Sequence, residues 1–137
     1  MKSVQFNNLA GEVTDKVRKH SRLIVEAFAR DTEAEVKKLI LRGSPSGEVY
    51  KVPGTQVNYR ASAPGQAPAP RTGDLANSYQ SQVTSESTSI VFSGLKYSRI
   101  EFGWGHVAPR PHLRPASDIT LTKRDAIITR VLNQVGD

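Results

Sequence analysis

The first 42 residues contain no proline, and their apolar side chains recur at the spacing of one helical face. Gly43 and Pro45 then form a strong stop signal. A helix of ~30–40 residues would be ~45–60 Å long. That length exceeds what one small domain needs, so we expect part of the helix to pack on a partner outside its own domain. The apolar stripe comprises Phe6, Leu9, Val13, Val17, Ile24 and Phe28, continued by Val36, Leu39 and Ile40.

Residues 43–72 differ in composition, being rich in Pro, Gly, Ser and Ala. Pro53-Gly54 is a turn signal between two short extended patches, 48–52 and 55–59, which predicts a small hairpin. Residues 61–70 cannot form regular structure. The whole segment 43–72 is expected to be an arm-like loop, with 61–70 mobile in the isolated chain and ordered on a neighbouring subunit. A plain linker is the alternative.

The second half of the chain changes from alternating to helical periodicity. Thr72 can cap a short helix over 73–79. Three strands are predicted, over 80–85, 89–95 and 97–102, with Phe102 facing inward to anchor the end of the third. Pro115 is suited to the first position of a last helix that runs to about Val135. The stripe predicted to be buried on that helix comprises Ala116, Ile119, Ile127, Val131 and Val135.

These patterns together predict one α+β domain over residues 1–137. Its expected parts are a long N-terminal helix, a small antiparallel sheet of three to four strands, and a C-terminal helix packed on that sheet. No apolar run approaches the ~20 residues of a membrane span, and no signal-peptide core is present. We therefore expect a protein that is assembled in the cytoplasm and does not enter a membrane.

Few residues offer catalytic chemistry. The chain has no cysteine, which excludes a thiolate nucleophile or thiolate metal site, and it has no G-x-S-x-G elbow. His20, His106 and His112 lack the spacing of metal ligands, and Gly103-Trp104-Gly105 is not a phosphate-binding loop. We expect no enzymatic activity, no metal and no cofactor.

The net charge of +6 attracts polyanions. Arg99, Arg110 and Arg114 lie close in sequence to Tyr97 and Trp104, and arginine beside aromatic residues is typical of single-strand binding. The same residue types are also enriched at protein–protein contacts, which is the interpretation favoured here. A basic nucleic-acid-binding module acting on its own remains the alternative.

Two passages are distinctive in content, order and separation. They are ASAPGQAPAPRTGDLANSYQ at 61–80 and KYSRIEFGWGHVAPRPHLRPA at 96–116. Together they resemble the tail-completion, or head–tail joining, proteins of tailed bacteriophages, which include minor tail proteins of the Z type. The sequence departs from that pattern at Ser98, Trp104 and His112, where Ala, Thr and Phe are more usual.

The resemblance implies a structural virion protein at the head–tail junction. The implied assembly is a homo-oligomeric ring, expected to be a hexamer, that contacts neighbouring neck and tail proteins and, non-specifically, the phage DNA passing through it. Its position as tube cap, stopper or bridge stays open. The residues expected at the subunit interface are Arg71, Thr72, Tyr97, Glu101, Trp104, Arg110, His112 and Arg114.

Overall fold

The computed structural model of the chain describes residues 7–136, with side chains from residue 11 onward. The α+β class, the long first helix and the antiparallel pairing are confirmed. In chain order the elements are α1 (Asn7–Leu41), β1 (Val49–Lys51), β2 (Asn58–Arg60), α2 (Asp74–Ser78), β3 (Tyr79–Ser85), β4 (Thr88–Ser93), a 3₁₀ helix (Lys96–Glu101), α3 (Leu113–Thr122) and α4 (Arg124–Val135).

Helix α1 is buried over its second half only. Ala29, Thr32, Val36 and Ile40 recur at three- and four-residue spacing and face the core. Residues 11–19 are all exposed. The stripe predicted from the sequence therefore continues past the domain, because its members Val13 and Val17 are 54% and 61% exposed. Its first member, Phe6, lies outside the described residues, as does the side chain of Leu9.

The strands form two separate two-stranded sheets, so the predicted sheet of three to four strands is wrong. The predicted hairpin over 48–59 is confirmed by the pairing of β1 with β2, in which Tyr50 lies opposite Tyr59. Strand β3 pairs with β4 from Tyr79↔Ser93 onward. A bulge between Val83 and Ser85 bends this second hairpin.

The third predicted strand, 97–102, is instead the 3₁₀ helix. Local bonds replace a strand ladder there: the Phe102 N–H donates to Arg99 O at 3.0 Å, and the Ser98 N–H donates to Leu95 O at 3.1 Å. Phe102 consequently points outward and is 85% exposed, so the expectation that it anchors the core is wrong. The residue that turns inward is its neighbour Glu101.

The C-terminal helix is interrupted at Lys123 and forms two helices, α3 and α4. Helix α3 begins at Leu113, so Pro115 lies inside its first turn, where a missing N–H is tolerated. Both helices pack chiefly on α1 and not on a sheet, which corrects the predicted packing. Ala116, Ile127 and Val131 are buried as predicted.

Helix α1 is thus the central element, with α3 and α4 packed on it and the β3–β4 hairpin also packed on it. The core lies where these layers meet the short helix α2. It consists of Val36, Ile40, Ala76, Tyr79 and Ala116.

Residues 61–70 have no regular structure, as predicted. They contact other parts of the same chain. The Gly65 N–H donates to Pro109 O at 3.0 Å. The Gln66 carboxamide accepts from the Ser46 and Ala63 N–H groups at 3.1 and 2.8 Å. Ordering of this loop on a neighbouring subunit stays a prediction.

Candidate subunit interface

The Glu101 carboxylate closes the N-terminal end of α3. Its Oε2 accepts the backbone N–H groups of His112 and Leu113 at 2.7 and 2.9 Å, and its Oε1 accepts that of Arg114 at 3.0 Å. Burial alone raises the pKa of Glu101, but these three bonds and the neighbouring His112 outweigh burial and hold the pKa below its usual range. Glu101 therefore acts as a side-chain cap supplied from outside the helix, 11–13 residues before the N–H groups that it accepts.

The His112 ring lies at the centre of a buried polar network. Its Nδ1 is 2.6 Å from Arg110 O and 2.9 Å from Glu101 Oε2, and its Nε2 is 2.6 Å from the Tyr79 hydroxyl. His112 is fully buried and Glu101 is 9% exposed. These two predicted interface residues therefore face the interior of their own chain. The network joins the first residue of β3, the end of the 3₁₀ helix and the start of α3.

A hydroxyl, an imidazole and a carboxylate in line are also the components of a nucleophilic relay. Here the hydroxyl belongs to Tyr79, which is 2% exposed. Burial, with the charge of Glu101, raises the pKa of Tyr79 to about 12, so the phenol stays protonated. The arrangement is therefore suited to holding three segments together.

Arg110 and Arg114 differ, although the sequence assigns both to the interface. The Arg110 guanidinium donates to Ser62 Oγ at 3.0 Å and to Ala108 O at 3.0 Å, within its own chain. Arg114 is exposed on the first turn of α3. Arg110 therefore bridges the 61–70 loop to the segment before α3, whereas Arg114 is available to a partner.

Three other predicted residues, Arg71, Thr72 and Tyr97, line one pocket of about 400 Å³. Tyr97 is 44% exposed at its rim. The Thr72 hydroxyl donates to the Asp74 carboxylate at 2.7 Å, while Gly73, at φ +84°, occupies the N-cap position that the sequence assigns to Thr72. The apolar lining comprises Ile40, Pro68, Ala69, Pro70, Leu75, Ala76 and Ile100.

Trp104, the remaining predicted residue, lies in a projecting turn, residues 102–107, called here the aromatic tip. Backbone N–H···O bonds of 3.1 and 2.9 Å join Trp104 and Val107 across the turn. Gly103 has φ +83°, and a Cβ there would lie 2.8 Å from Val107 O, so only glycine fits. Trp104 is 53% exposed, and the Lys96 ammonium lies 5.5 Å from its ring centroid.

The two passages that carry the resemblance meet in space. The Gly65–Pro109 and Ser62–Arg110 hydrogen bonds join them directly. Ile100 from the second passage lines the pocket beside the loop of the first. Sequence reasoning brought these passages to the same site but missed Tyr79 and the outward direction of Phe102. No local signal marks either, because Tyr79 is buried by residues of three helices and Phe102 follows the 3₁₀ helix that replaces the predicted strand.

No protein-family model matches the chain, and neither a curated protein nor a solved structure is significantly similar to it. Within residues 7–136, no group of three or more His, Asp or Glu side chains is placed to hold a metal ion. None of the helices in this described part is both long and apolar enough to cross a membrane.

Proposed function

We propose that the protein is a structural virion subunit of a tailed phage that forms a ring at the head–tail junction. The observation that carries the proposal is that the two passages resembling tail-completion proteins are joined into one surface by the Gly65–Pro109 and Arg110–Ser62 hydrogen bonds. The bonded residues lie 44 and 48 positions apart in sequence, and both passages contribute side chains to one pocket. A surface built jointly from two separate passages is what a shared binding role would require of them.

Two exposed apolar elements support a role in assembly. The aromatic tip exposes Phe102 and Trp104, and the overhanging half of α1 exposes Val13 and Val17. Neighbouring exposed apolar side chains, as in these two pairs, support the assignment of a surface that a partner covers. Because these elements belong to different parts of the fold, one subunit can contact more than one neighbour, as a ring between two larger assemblies requires.

The buried network supports the same role. Glu101, His112 and Tyr79 fix the base of the aromatic tip relative to α3 and β3. A contact surface held in one conformation loses little entropy on docking. In this proposal Glu101 and His112 position the interface, whereas Arg71, Thr72, Tyr97, Trp104 and Arg114 meet the neighbouring proteins.

Deletion of the gene from the phage that carries it, followed by complementation, tests the proposal. Lysates without the protein should contain filled heads and separate tails by electron microscopy, with joined particles restored by the wild-type gene. Labelled protein should locate to the neck. Normal yields of joined, infectious particles without the gene would refute the proposal, whereas tight strand-selective binding by the purified protein would favour the nucleic-acid-binding alternative.

A further inference from the structure

The aromatic tip is hydrogen-bonded at its base and uncovered. Phe102 is 85% exposed and Trp104 is 53% exposed. The backbone beneath them is held by the Trp104–Val107 bonds and by the Arg110 N–H, which donates to Ile100 O at 2.7 Å. A preorganised aromatic group of this kind can enter a pocket at low entropic cost.

The same chain carries an open apolar pocket that its own tip does not fill. Its volume of about 400 Å³ lies within the ~300–1,000 Å³ of typical binding pockets. Ile40, Leu75 and Ile100 supply apolar lining, and Ala69 lies on its loop side. Aromatic anchors seated in such pockets carry most of the binding strength of protein contacts.

We propose that the aromatic tip of one copy docks in this pocket of the next copy. Because the tip and the pocket are different surfaces, each copy can dock on one neighbour and receive another. In the ring proposed above, this heterologous contact repeats head to tail until rotation closes the ring. The inference rests on the proposed ring function, for which it specifies the subunit contact. The contact uses the tip and the pocket of the same chain. The exposed first part of α1 then stays free to bind other proteins of the junction.

One pairing of opposite charges favours the contact. Lys96 and Arg99 are exposed beside the tip, and between residues 87 and 117 the one carboxylate, Glu101, is buried and hydrogen-bonded. The exposed carboxylate of Asp74 lies at the pocket. Arg71 is an exposed cation on the same rim, directed toward Tyr59, with its guanidinium carbon 5.5 Å from that ring centroid. Docking therefore brings tip cations toward the Asp74 carboxylate of the next copy.

The contact is expected to be weak between two free copies. A buried aromatic side chain covers ~150–250 Å², whereas a stable specific interface buries ~1,000 Å² or more in total. Association through the tip should therefore depend on concentration and strengthen when the ring closes or when neighbouring proteins hold the subunits. This weakness would keep newly made subunits from polymerising before the junction is assembled.

Trp104 is the only tryptophan of the chain, so its fluorescence reports docking directly. Between about 1 μM and about 1 mM, the range of weak contacts, the emission should shift to the blue as sedimentation shows association. Phe102→Ser keeps the reporter and should weaken association ~10-fold or more. Ala69→Phe, which fills the pocket, should do the same, with Asp74→Lys as a second pocket variant. Leu132→Ala, which alters another exposed apolar residue on α4, is the matched control and should have no effect.

Mixing two defective variants gives the sharpest test. Phe102→Ser/Trp104→Ala lacks the tip but has a pocket, and Ala69→Phe has a tip but a filled pocket. Each should stay monomeric alone, while the mixture should give a one-to-one dimer that does not extend, with a blue shift from the remaining Trp104. Far-UV circular dichroism confirms that each variant is folded.

Unchanged association of Phe102→Ser, or a mixture of folded variants that stays monomeric, would overturn self-docking. A blue shift produced by single-stranded oligonucleotide, and not by protein concentration, would also overturn it and assign the tip to nucleic acid. These measurements need only purified protein. Self-docking can therefore fail while phage complementation succeeds, and the reverse outcome is equally distinguishable.

Discussion

Replacement of Glu101 by Gln removes a charge while keeping the shape of the side chain, so it isolates the capping interaction. The carboxylate accepts three backbone N–H groups at 2.7–3.0 Å and faces His112 Nδ1 at 2.9 Å. A Gln carboxamide has one acceptor oxygen. If that oxygen takes the place of Oε2, the new NH₂ group points at the Arg114 N–H, and two donors then face each other.

These contacts determine how much stability Glu101→Gln should lose. Leaving a buried donor without an acceptor costs ~1–3 kcal/mol, and losing a negative charge at a helix N-terminus costs ~0.3–2 kcal/mol. Relief of the burial penalty on the carboxylate offsets part of this. We expect Glu101→Gln to lower the free energy of unfolding by ~2–3 kcal/mol, a large fraction of the ~5–15 kcal/mol typical of a domain.

Urea denaturation followed by far-UV circular dichroism and by Trp104 fluorescence measures this loss. Glu86→Gln is the matched control, since Glu86 is an exposed partner of Arg18 at 3.5 Å and such pairs contribute ~0–1 kcal/mol. The fluorescence signal should also change before global unfolding, because Glu101 holds the base of the aromatic tip. If Glu101→Gln and Glu86→Gln unfold within ~0.5 kcal/mol of each other, the capping argument is refuted.

The pKa of Glu101 is lower in the folded protein than its ordinary 4.5, so the stabilisation from its carboxylate is present above that pH and is lost as pH falls through the folded pKa. The difference in unfolding free energy between wild type and Glu101→Gln should therefore shrink in acid. A difference that grows in acid would contradict this. Arg110→Ala breaks hydrogen bonds within its own chain and should lower the free energy of unfolding by ~1–2 kcal/mol. Arg114→Ala should change that free energy by less than ~0.5 kcal/mol while still reducing head–tail joining. Equal urea midpoints for the two variants would show that the two arginines do not differ in their structural role. The sequence predicts that limited proteolysis cuts first at 61–70, but the contacts of that loop favour cutting at the exposed turn 53–57, and mass spectrometry of the first fragments decides between them.

Local patterns in the sequence determined the elements whose structure depends on their own residues. The proline-free apolar stripe predicted α1, and Pro53-Gly54 predicted the first hairpin, because helical period and turn chemistry act over a few residues. The resemblance of two passages also selected residues that line one pocket. The length of the apolar stripe also predicted that α1 extends beyond its own domain.

The tertiary structure decided whatever depended on a distant partner. Residues 97–102 alternate like a strand, yet the Glu101 carboxylate has three donors at the start of α3, and reaching them turns this segment into a 3₁₀ helix. That turn reverses Phe102 from core to surface and so creates the aromatic tip. Periodicity shows which side chains are apolar, but it carries no information on which buried polar groups will bond to each other. Here the bonds between the Glu101 carboxylate and the start of α3 set the path of the backbone.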